Sequence, residues 1–390
     1  MKKILLPTAY GTRDIIFPEA YNKRNMENTI AEIFTRWGYQ EVVTPTYEYL
    51  DTFNLGSDRD MDTQSIKFFD RENKTLVLRP DMTTPLARLI STRLYNENNK
   101  IHKLFYIANV FRHEQTQSGR QCEFYQAGIE YFGAQTPLAD AEIIALAIES
   151  IKSTGLTQFK INLGHIDFIN GILDDFNDYV NQQVKRLLGL KDVVGFKKFL
   201  DTCDFTEDEL EIVGNIFFLK GDVNMLQEIR AKIVSKTAIA AIDNLIEIYD
   251  LMGAYGLQEY IVFDLSLTRD LQYYSGMVFE AYTNEMGYSL CGGGRYDRML
   301  DKFGLNCPAT GFALGIERIT LLLNKQGLLQ KPANRKALLV WSQETLFKAI
   351  KQAAVMQSKG YITTIATHQL SSKEIKQLEQ TKSFDEIIIV

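Results

Sequence analysis

Gln126 and Glu130 fall on either side of Gly128 in the run FYQAGIEYF, with Phe124 and Phe132 in the same phase. Residues of one parity share a face of a strand. That face would set an amide and a carboxylate among apolar neighbours. Arg112 follows the apolar run Ile107, Ala108, Val110 and Phe111, and Arg120 falls in the polar stretch between the two runs. Two antiparallel strands joined by this loop would bring guanidinium groups beside a carboxylate. Such a pocket suits an amino acid, which carries both charges, with room for a phosphate beside it. A plain hairpin with a solvated arginine loop satisfies the same pattern.

Asp81 and Thr83 stand at a strand-to-helix junction in LRPDMTTPLAR. A carboxylate and a hydroxyl one residue apart can both accept from an α-ammonium. Asp and Thr are also strong helix N-caps, and that role alone would explain them. Tyr273 and Tyr274 are adjacent in TRDLQYYSGMVFE. Read as strand residues they point opposite ways, so one reaches a pocket and the other a core. Arg269 lies just upstream, and Arg318 interrupts the apolar pattern of GIERI. Each is either a solvated side chain or an anion contact. Gly292, Gly293 and Gly294 read as a tight turn, or as backbone that lets a ligand come close. Neither common phosphate loop occurs at a strand-to-helix junction. The four cysteines (Cys122, Cys203, Cys291, Cys307) and four histidines (His102, His113, His165, His368) are scattered. No bound metal and no disulfide framework is expected from them.

The elements that must position these groups follow from periodicity. Residues 19–37 read as an amphipathic helix with Ile30, Ile33, Phe34 and Trp37 on one face and Gly38 to end it. EVVTPTYEYL reads as an edge or bulged strand because of Pro45. TLVLR (75–79) reads as a buried strand, and a helix opens after Pro80. Thr136 caps a helix with Pro137 in its first turn and Ile144, Ile148 and Ile151 as its core stripe. Residues 166–257 read as helical throughout, with a capping box at Thr206 and Glu209. QYYSGMVFEAYT and GYSLCGGG read as a hairpin. GFALGIERITLLLNKQG reads as a helix ended by Gly327. After a linker, 337–390 alternates as β-α-β-α-β, with a helix at 343–358, a second capped near Ser372 and a parallel sheet expected.

The chain has 390 residues, 45% hydrophobic and 24% charged, with net charge −6. That is an ordinary globular composition with two or three domains as the prior. The acidic balance argues against extended nucleic-acid binding. No apolar run is long enough to span a membrane, and the N-terminus lacks a signal-peptide core. A cytoplasmic protein is expected.

Taken in order, these segments resemble a class II histidine–tRNA ligase over nearly the whole chain. GTRDIIFPEA is similar to that family's N-terminal signature and EVVTPTYEYL to motif 1, which builds the family's dimer interface. VFRHEQTQSGRQCEFYQAGIEYFG resembles motif 2, and GFALGIERI resembles motif 3. RDLQYYSGMVFE and CGGGRYDRML are similar to the two histidine-specific signatures. The resemblance implies an α+β fold: a class II aminoacyl-tRNA synthetase-like antiparallel sheet flanked by helices. Residues 1–330 would form this domain, with the helical insertion at about 166–257. Residues 331–390 would form a small, truncated α/β domain resembling an anticodon-binding domain. It also implies a histidine pocket. Asp81 and Thr83 would take the α-amino group, and Arg112 would contact carboxylate and α-phosphate. Gln126 and Glu130 would line the site, and Tyr274 would close it beside the imidazole with Tyr273 next to it. Arg112, Arg120, Arg269 and Arg318 would be the phosphate or nucleotide contacts.

Departures from the ligase pattern bear on activity. Gln115 and Cys122 stand where the ligases carry arginines, and Thr116 stands for a proline. Asp270 replaces a glycine, and Asp81-Met82 replaces the common Glu-Gly. Arginines stabilise charge on transferring phosphates, so their loss weakens the case for amino-acid activation. The C-terminal unit is shorter than the ~100 residues of a full anticodon-binding domain, a common domain size. The chain is most similar to the ligase-like regulatory subunits of ATP phosphoribosyltransferase, whose usual form LRPDMTTP matches. That resemblance implies a non-catalytic subunit without a cofactor. It would pair with a short catalytic subunit, dimerise through motif 1 and take histidine as effector in the first step of histidine synthesis. Binding to tRNA is not expected. An active histidine–tRNA ligase is the alternative.

Overall fold

The computed structural model describes residues 6–56, 65–113, 121–174, 176–203, 207–268, 274–330 and 334–390. The chain divides into two units, Met1–Leu328 and Leu329–Val390. The first begins with α1 (Glu19–Arg36), β1 (Gln40–Glu41), β2 (Tyr47–Tyr49), α2 (Leu50–Gly56), β3 (Lys67–Phe69) and β4 (Thr75–Leu78). It continues with α3 (Thr83–Leu89), β5 (His102–Phe111), β6 (Glu123–Phe132), α4 (Pro137–Ser153) and β7 (Lys160–His165). A helical stretch follows: α5 (Ile166–Ile172), α6 (Asp178–Gly189), α7 (Val193–Leu200) and α8 (Glu207–Val213), then β8 (Lys220–Gly221), α9 (Val223–Lys232) and α10 (Lys236–Ala254). The unit closes with β9 (Ile261–Asp264), β10 (Met277–Tyr282), β11 (Cys291–Arg295), β12 (Ala309–Gly315) and α11 (Ile316–Lys325).

Nine strands form one sheet in the order β1-β5-β6-β12-β11-β10-β7-β9-β8. Only β1–β5 and β7–β9 are parallel; the other neighbours run antiparallel. Register sorts its two faces. One cross-strand row reads Phe105, Ile129, Phe312, Gly293, Phe279, Leu163 and Phe263. The six side chains of that row are at most 3% exposed. Burying each contributes about 1.5–3 kcal/mol relative to exposure. Phe34 of α1 meets Phe105 and Phe312 at ring distances of 5.5 and 6.0 Å. Trp37 Nε1, at the end of α1, donates to Glu149 of α4 at 2.8 Å. The helices therefore cover this face. α4 is buried along most of its length, with Ile144, Ile148 and Ile151 fully inside and Thr136 as its N-cap.

The opposite face is built from small residues. Its rows pair Glu130 with Gly311 and Gly294, and Gly128 with Ala313 and Gly292. The result is a trough across the middle strands. The triple glycine is thus neither a turn nor a loop, because it lies inside β11. A Cβ at Gly293 would collide with the Gly311 carbonyl and with Phe312, so close strand packing requires glycine there.

Four other segments differ from the periodicity reading. EVVTPTYEYL is two strands, since the chain leaves the large sheet after β1 and enters a small antiparallel sheet, β2-β4-β3, beyond Pro45. Arg79, 4% exposed, clamps this crossover by donating to the carbonyls of Thr44 at 2.9 Å and Asn109 at 2.8 Å. GFALG is the end of β12, and only ITLLLNK and its neighbours are helix. Tyr274 precedes β10, which starts at Met277, because Gly276 and Ser275 carry the lead-in. The helical stretch from 166 is interrupted by β8, which pairs with β9; Thr206 lies outside the described residues.

The second unit is β13 (Lys336–Val340), α12 (Leu346–Ser358), β14 (Ile362–Ile365), α13 (Ser372–Thr381) and β15 (Glu386–Ile389). Its three strands are parallel in the order β14-β13-β15. Ser371 caps α13 in a reciprocal box with Glu374. No helix among the described residues is long and apolar enough to cross a membrane.

Candidate functional site

Glu130 rises from near the C-terminal end of β6 into the trough and is 2% exposed. Thr83 Oγ1 donates to its Oε1 at 2.9 Å, and Tyr296 Oη donates to its Oε2. Gly311 lies across on β12, where any Cβ would strike the Glu130 carboxyl. Burial pushes this carboxyl from its ordinary 4.5 up to about 8; the two hydroxyl donors pull it down and Asp81 adds to the rise. The group is poised to accept a proton or a donated N–H where water cannot compete.

Asp81 lies at the entrance to α3. Its Oδ1 accepts from the Thr84 amide at 2.9 Å, so the capping role is realised. Burial raises this carboxyl too, and the Thr84 amide and Arg112 pull it back. Arg112 Nε donates to the Pro80 carbonyl at 2.6 Å, and its guanidinium lies 5.7 Å from the Phe124 ring centre. Gln126 shares the face of Glu130, and its amide has no hydrogen bond among the described residues. The Tyr274 ring crosses Gly294, where a Cβ would come within 2.8 Å of it.

These residues line one cleft of about 470 Å³. Asp81 and Glu130 mark one end. Four residues along β6, about 13 Å at strand rise, lies Gln126, opposite Gly315. Arg318 stands at that end, donating from Nη1 to Ser289 O at 2.7 Å and lying 5.2 Å from the Tyr288 ring centre. Glu317 accepts from the Tyr125 amide through both oxygens at 2.9 Å, and burial pushes its carboxyl up to about 7. Asp81 and Glu130 therefore offer acceptors, and the Arg112 guanidinium is near enough to Asp81 to draw its carboxyl down. An acceptor and a guanidinium side by side suit the adjacent ammonium and carboxylate of an amino acid.

Asp81, Thr83, Arg112, Gln126, Glu130, Tyr274 and Arg318 are thus brought together. Arg120, Arg269 and Tyr273 lie outside the described residues, as do Gln115, Thr116 and Asp270. The periodicity reading did not single out Tyr296, Tyr106 or Glu317. Tyr296 follows the glycine run after Arg295, and Glu317 is the neighbour of Arg318, so both lie beside motifs already singled out.

The Glu130 carboxyl also fixes a pH dependence. Its folded pKa lies above the unfolded one, so the folded state holds a proton that unfolding releases. The stabilisation is complete below about pH 4.5 and is lost as pH rises through about 8. Stability of the ligand-free protein is expected to fall between about pH 4.5 and about pH 8, by at most about 1.4 kcal/mol per pH unit from this group, and to level off above that. Urea unfolding at fixed ionic strength measures it; a flat profile would show that the carboxyl is ionised in the fold.

The histidyl-tRNA synthetase family model matches residues 11–319. A Desulforamulus reducens protein named ATP phosphoribosyltransferase regulatory subunit is 39% identical over 355 residues, covering 90% of this chain and 88% of its own. A protein of the same name from Caldanaerobacter subterraneus is 35% identical over 384 residues, covering 97% and 98%. The chain belongs to the ATP phosphoribosyltransferase regulatory subunit family. A solved structure from Bacillus halodurans, titled ATP phosphoribosyltransferase regulatory subunit/histidyl-tRNA synthetase, aligns with a TM-score of 0.87 at 31% identity, covering 100% of this chain and 99% of that one. The histidyl-tRNA synthetase of Nostoc aligns with a TM-score of 0.83 at 19% identity, a likeness of fold alone. The expected class II synthetase-like fold is therefore present, and the two relatives named here carry the name of a regulatory subunit.

In this family member Cys122 does not line the cleft. Its amide donates to the Gly11 carbonyl at 2.7 Å, and its buried thiol leaves no room for a Cβ at Gly11. A small side chain there packs the N-terminal segment and adds no charge to the cleft.

Proposed function

We propose that this chain is the non-catalytic, histidine-sensing subunit of a cytoplasmic ATP phosphoribosyltransferase. It binds histidine in the cleft at Glu130 and shifts a short catalytic subunit between states. Glu130 carries the reading: a buried carboxyl, held by Thr83 and Tyr296, in a cleft that also holds Asp81 with the Arg112 guanidinium near it. An imidazole N–H donates to such a carboxyl, which selects histidine over apolar amino acids that would leave it unmatched. Asp81 and Thr83 take the α-ammonium, Arg112 takes the carboxylate, and Gln126 and Tyr274 close the sides. Coupling of histidine to the partner is worth about 1–3 kcal/mol, the usual range for allosteric linkage.

The same reading includes a homodimer through the motif 1 region. Supporting it, β1 and β2 are edge strands of two sheets, and Val43 between them is 89% exposed beside Tyr47 at 53%. Unpaired edges with apolar side chains invite pairing with another chain.

The reading is tested on one sample by two measurements. Calorimetry is expected to show saturable histidine binding. Histidine-dependent ATP–pyrophosphate exchange is expected to stay at background. Robust exchange would instead assign the cleft to a working ligase. Absence of histidine binding would remove the sensor.

A further inference from the structure

We infer that the protein carries a second ligand site, separate from the cleft at Glu130, and that it takes a nucleotide. The site is a cleft of about 1090 Å³ over the far strands β10, β7, β9 and β8. Its walls are the turn between α6 and α7 and the segment Ile216–Phe218. Small-molecule sites typically span about 300–1,000 Å³, so the volume suits a ligand of nucleotide size. The two clefts lie on the same face of the sheet, because Glu280 of the first pairs in register with Asn162 of the second. They share Lys191, Thr268 and Tyr282 as a common wall.

Asn162 points to a ligand. It is 8% exposed, lines the floor of this cleft, and makes no side-chain hydrogen bond among the described residues. Its amide atoms open into the cleft, where a ligand can meet them. An amide offers donor and acceptor together, which matches the edge of a base or a ribose hydroxyl.

Charge and rings narrow the class. Lys160 and Lys191 line the cleft with no carboxylate partner among the described residues; Lys160 Nζ donates only to the Glu259 carbonyl. Lys191 has a left-handed backbone, φ 54°, fixed by hydrogen bonds from its amide to Leu188 O at 3.0 Å and from the Asp192 amide to Leu187 O at 3.1 Å. Glycine is the usual residue at such a helix end. A lysine held there against backbone preference, with its ammonium 5.8 Å from the Tyr282 ring centre, points to a use for the charge. Lys220 adds a third ammonium, 3.4 Å from Asp264. Of the lining carboxylates, Asp264 is engaged by Ser266 and Lys220, and Glu285 by Gln326. Glu259 is exposed and suits ribose hydroxyls. Phe218 stands at the mouth, 62% exposed, with Lys197 5.9 Å from its ring centre. A free aromatic face beside ammonium groups stacks a planar base while the lysines take phosphates.

ADP is the probe, titrated by calorimetry without histidine into the full chain and three variants. The wild type is expected to bind it saturably. Lys160→Glu, a surface change, is expected to weaken ADP by about tenfold or more, and Asn162→Leu likewise, with unfolding midpoints held. Arg318→Ala, in the other cleft, is expected to leave ADP affinity unchanged. The inference fails if the wild type shows no saturable binding or if Lys160→Glu binds like wild type. It also fails if Arg318→Ala abolishes binding, which would move the nucleotide to the cleft at Glu130.

Discussion

Glu130→Ala is expected to lower histidine affinity by about 100-fold or more while the chain keeps its fold. The magnitude follows from the environment. A hydrogen bond to a charged group is worth about 1.5–3 kcal/mol net, and a buried ligand group left unpaired costs about as much again. Tenfold in affinity is about 1.4 kcal/mol, so losing this acceptor costs about two decades. Stability should move far less. The carboxyl that is removed is itself desolvated and pushed up to about 8, so its loss relieves a penalty even as Thr83 and Tyr296 lose their acceptor. Calorimetry and a urea melt on the same variant separate the two. Wild-type affinity would place the imidazole elsewhere; collapse of the fold would make Glu130 a structural group. Glu130→Gln refines the test. An amide keeps the shape and one acceptor oxygen, so it should recover part of the affinity while removing the dependence of stability on pH between about 4.5 and about 8 that the carboxyl confers.

How much of this cleft could be read beforehand depends on where the information lies. The alternation of Gln126 and Glu130 is local, and the strand kept it. The capping of α4 by Thr136 with Pro137 is local too, and it is present. Partners from afar were hidden. Tyr296 reaches Glu130 only because β11, β12 and β6 fall in one register, and no local period encodes the order of strands. The glycines show the same limit. Gly128, Gly294 and Gly311 belong to three strands, and only the register aligns them into a trough. Read alone, Gly292–Gly294 suggests a turn, since glycine weakens a strand interior. The crowding of Phe312 against Gly293 outweighs that preference. β1 and β8, two residues each, are too short to show alternation at all. Tyr274 could be placed on a strand because its neighbours are β formers, yet Ser275 is diverted to donate its amide to Arg295 O at 2.8 Å. The second unit was readable almost whole in its elements, since its βαβ units alternate cleanly, although the pairing of β15 with β13 and not with β14 is set by the crossover and not by any local period.

Asp140→Asn is expected to cost about 3–5 kcal/mol of stability, the usual penalty for breaking one partner of a buried pair. Arg295 and Asp140 have side chains 8% and 3% exposed and meet through a fork, Nη2 to Oδ1 at 2.8 Å and Nε to Oδ2 at 3.0 Å. Neutralising Asp140 leaves a buried guanidinium with Asp297 and the Ala134 carbonyl as its closest partners, at 2.9 Å each. The consequence runs to the cleft. Asp297 Oδ1 also accepts from the Ala309 amide at 3.0 Å, and the Asp297 amide donates to Ser275 Oγ at 2.8 Å. Arg295, Tyr296 and Asp297 are consecutive, so the pair beneath the sheet sets where Tyr296 stands beside Glu130 and how the chain enters Tyr274. Histidine affinity should therefore fall together with stability. Asp243→Asn is the contrast. Its pair with Arg230 is about half exposed on both sides, 48% and 47%, and its loss should cost no more than about 1 kcal/mol. Urea midpoints of the two variants decide the matter. If Asp140→Asn moved the midpoint no further than Asp243→Asn, the buried fork would be dispensable and helix burial alone would hold β11 in place. If stability fell while histidine bound with wild-type affinity, Tyr296 would be held by its own packing and not by its neighbours in the chain.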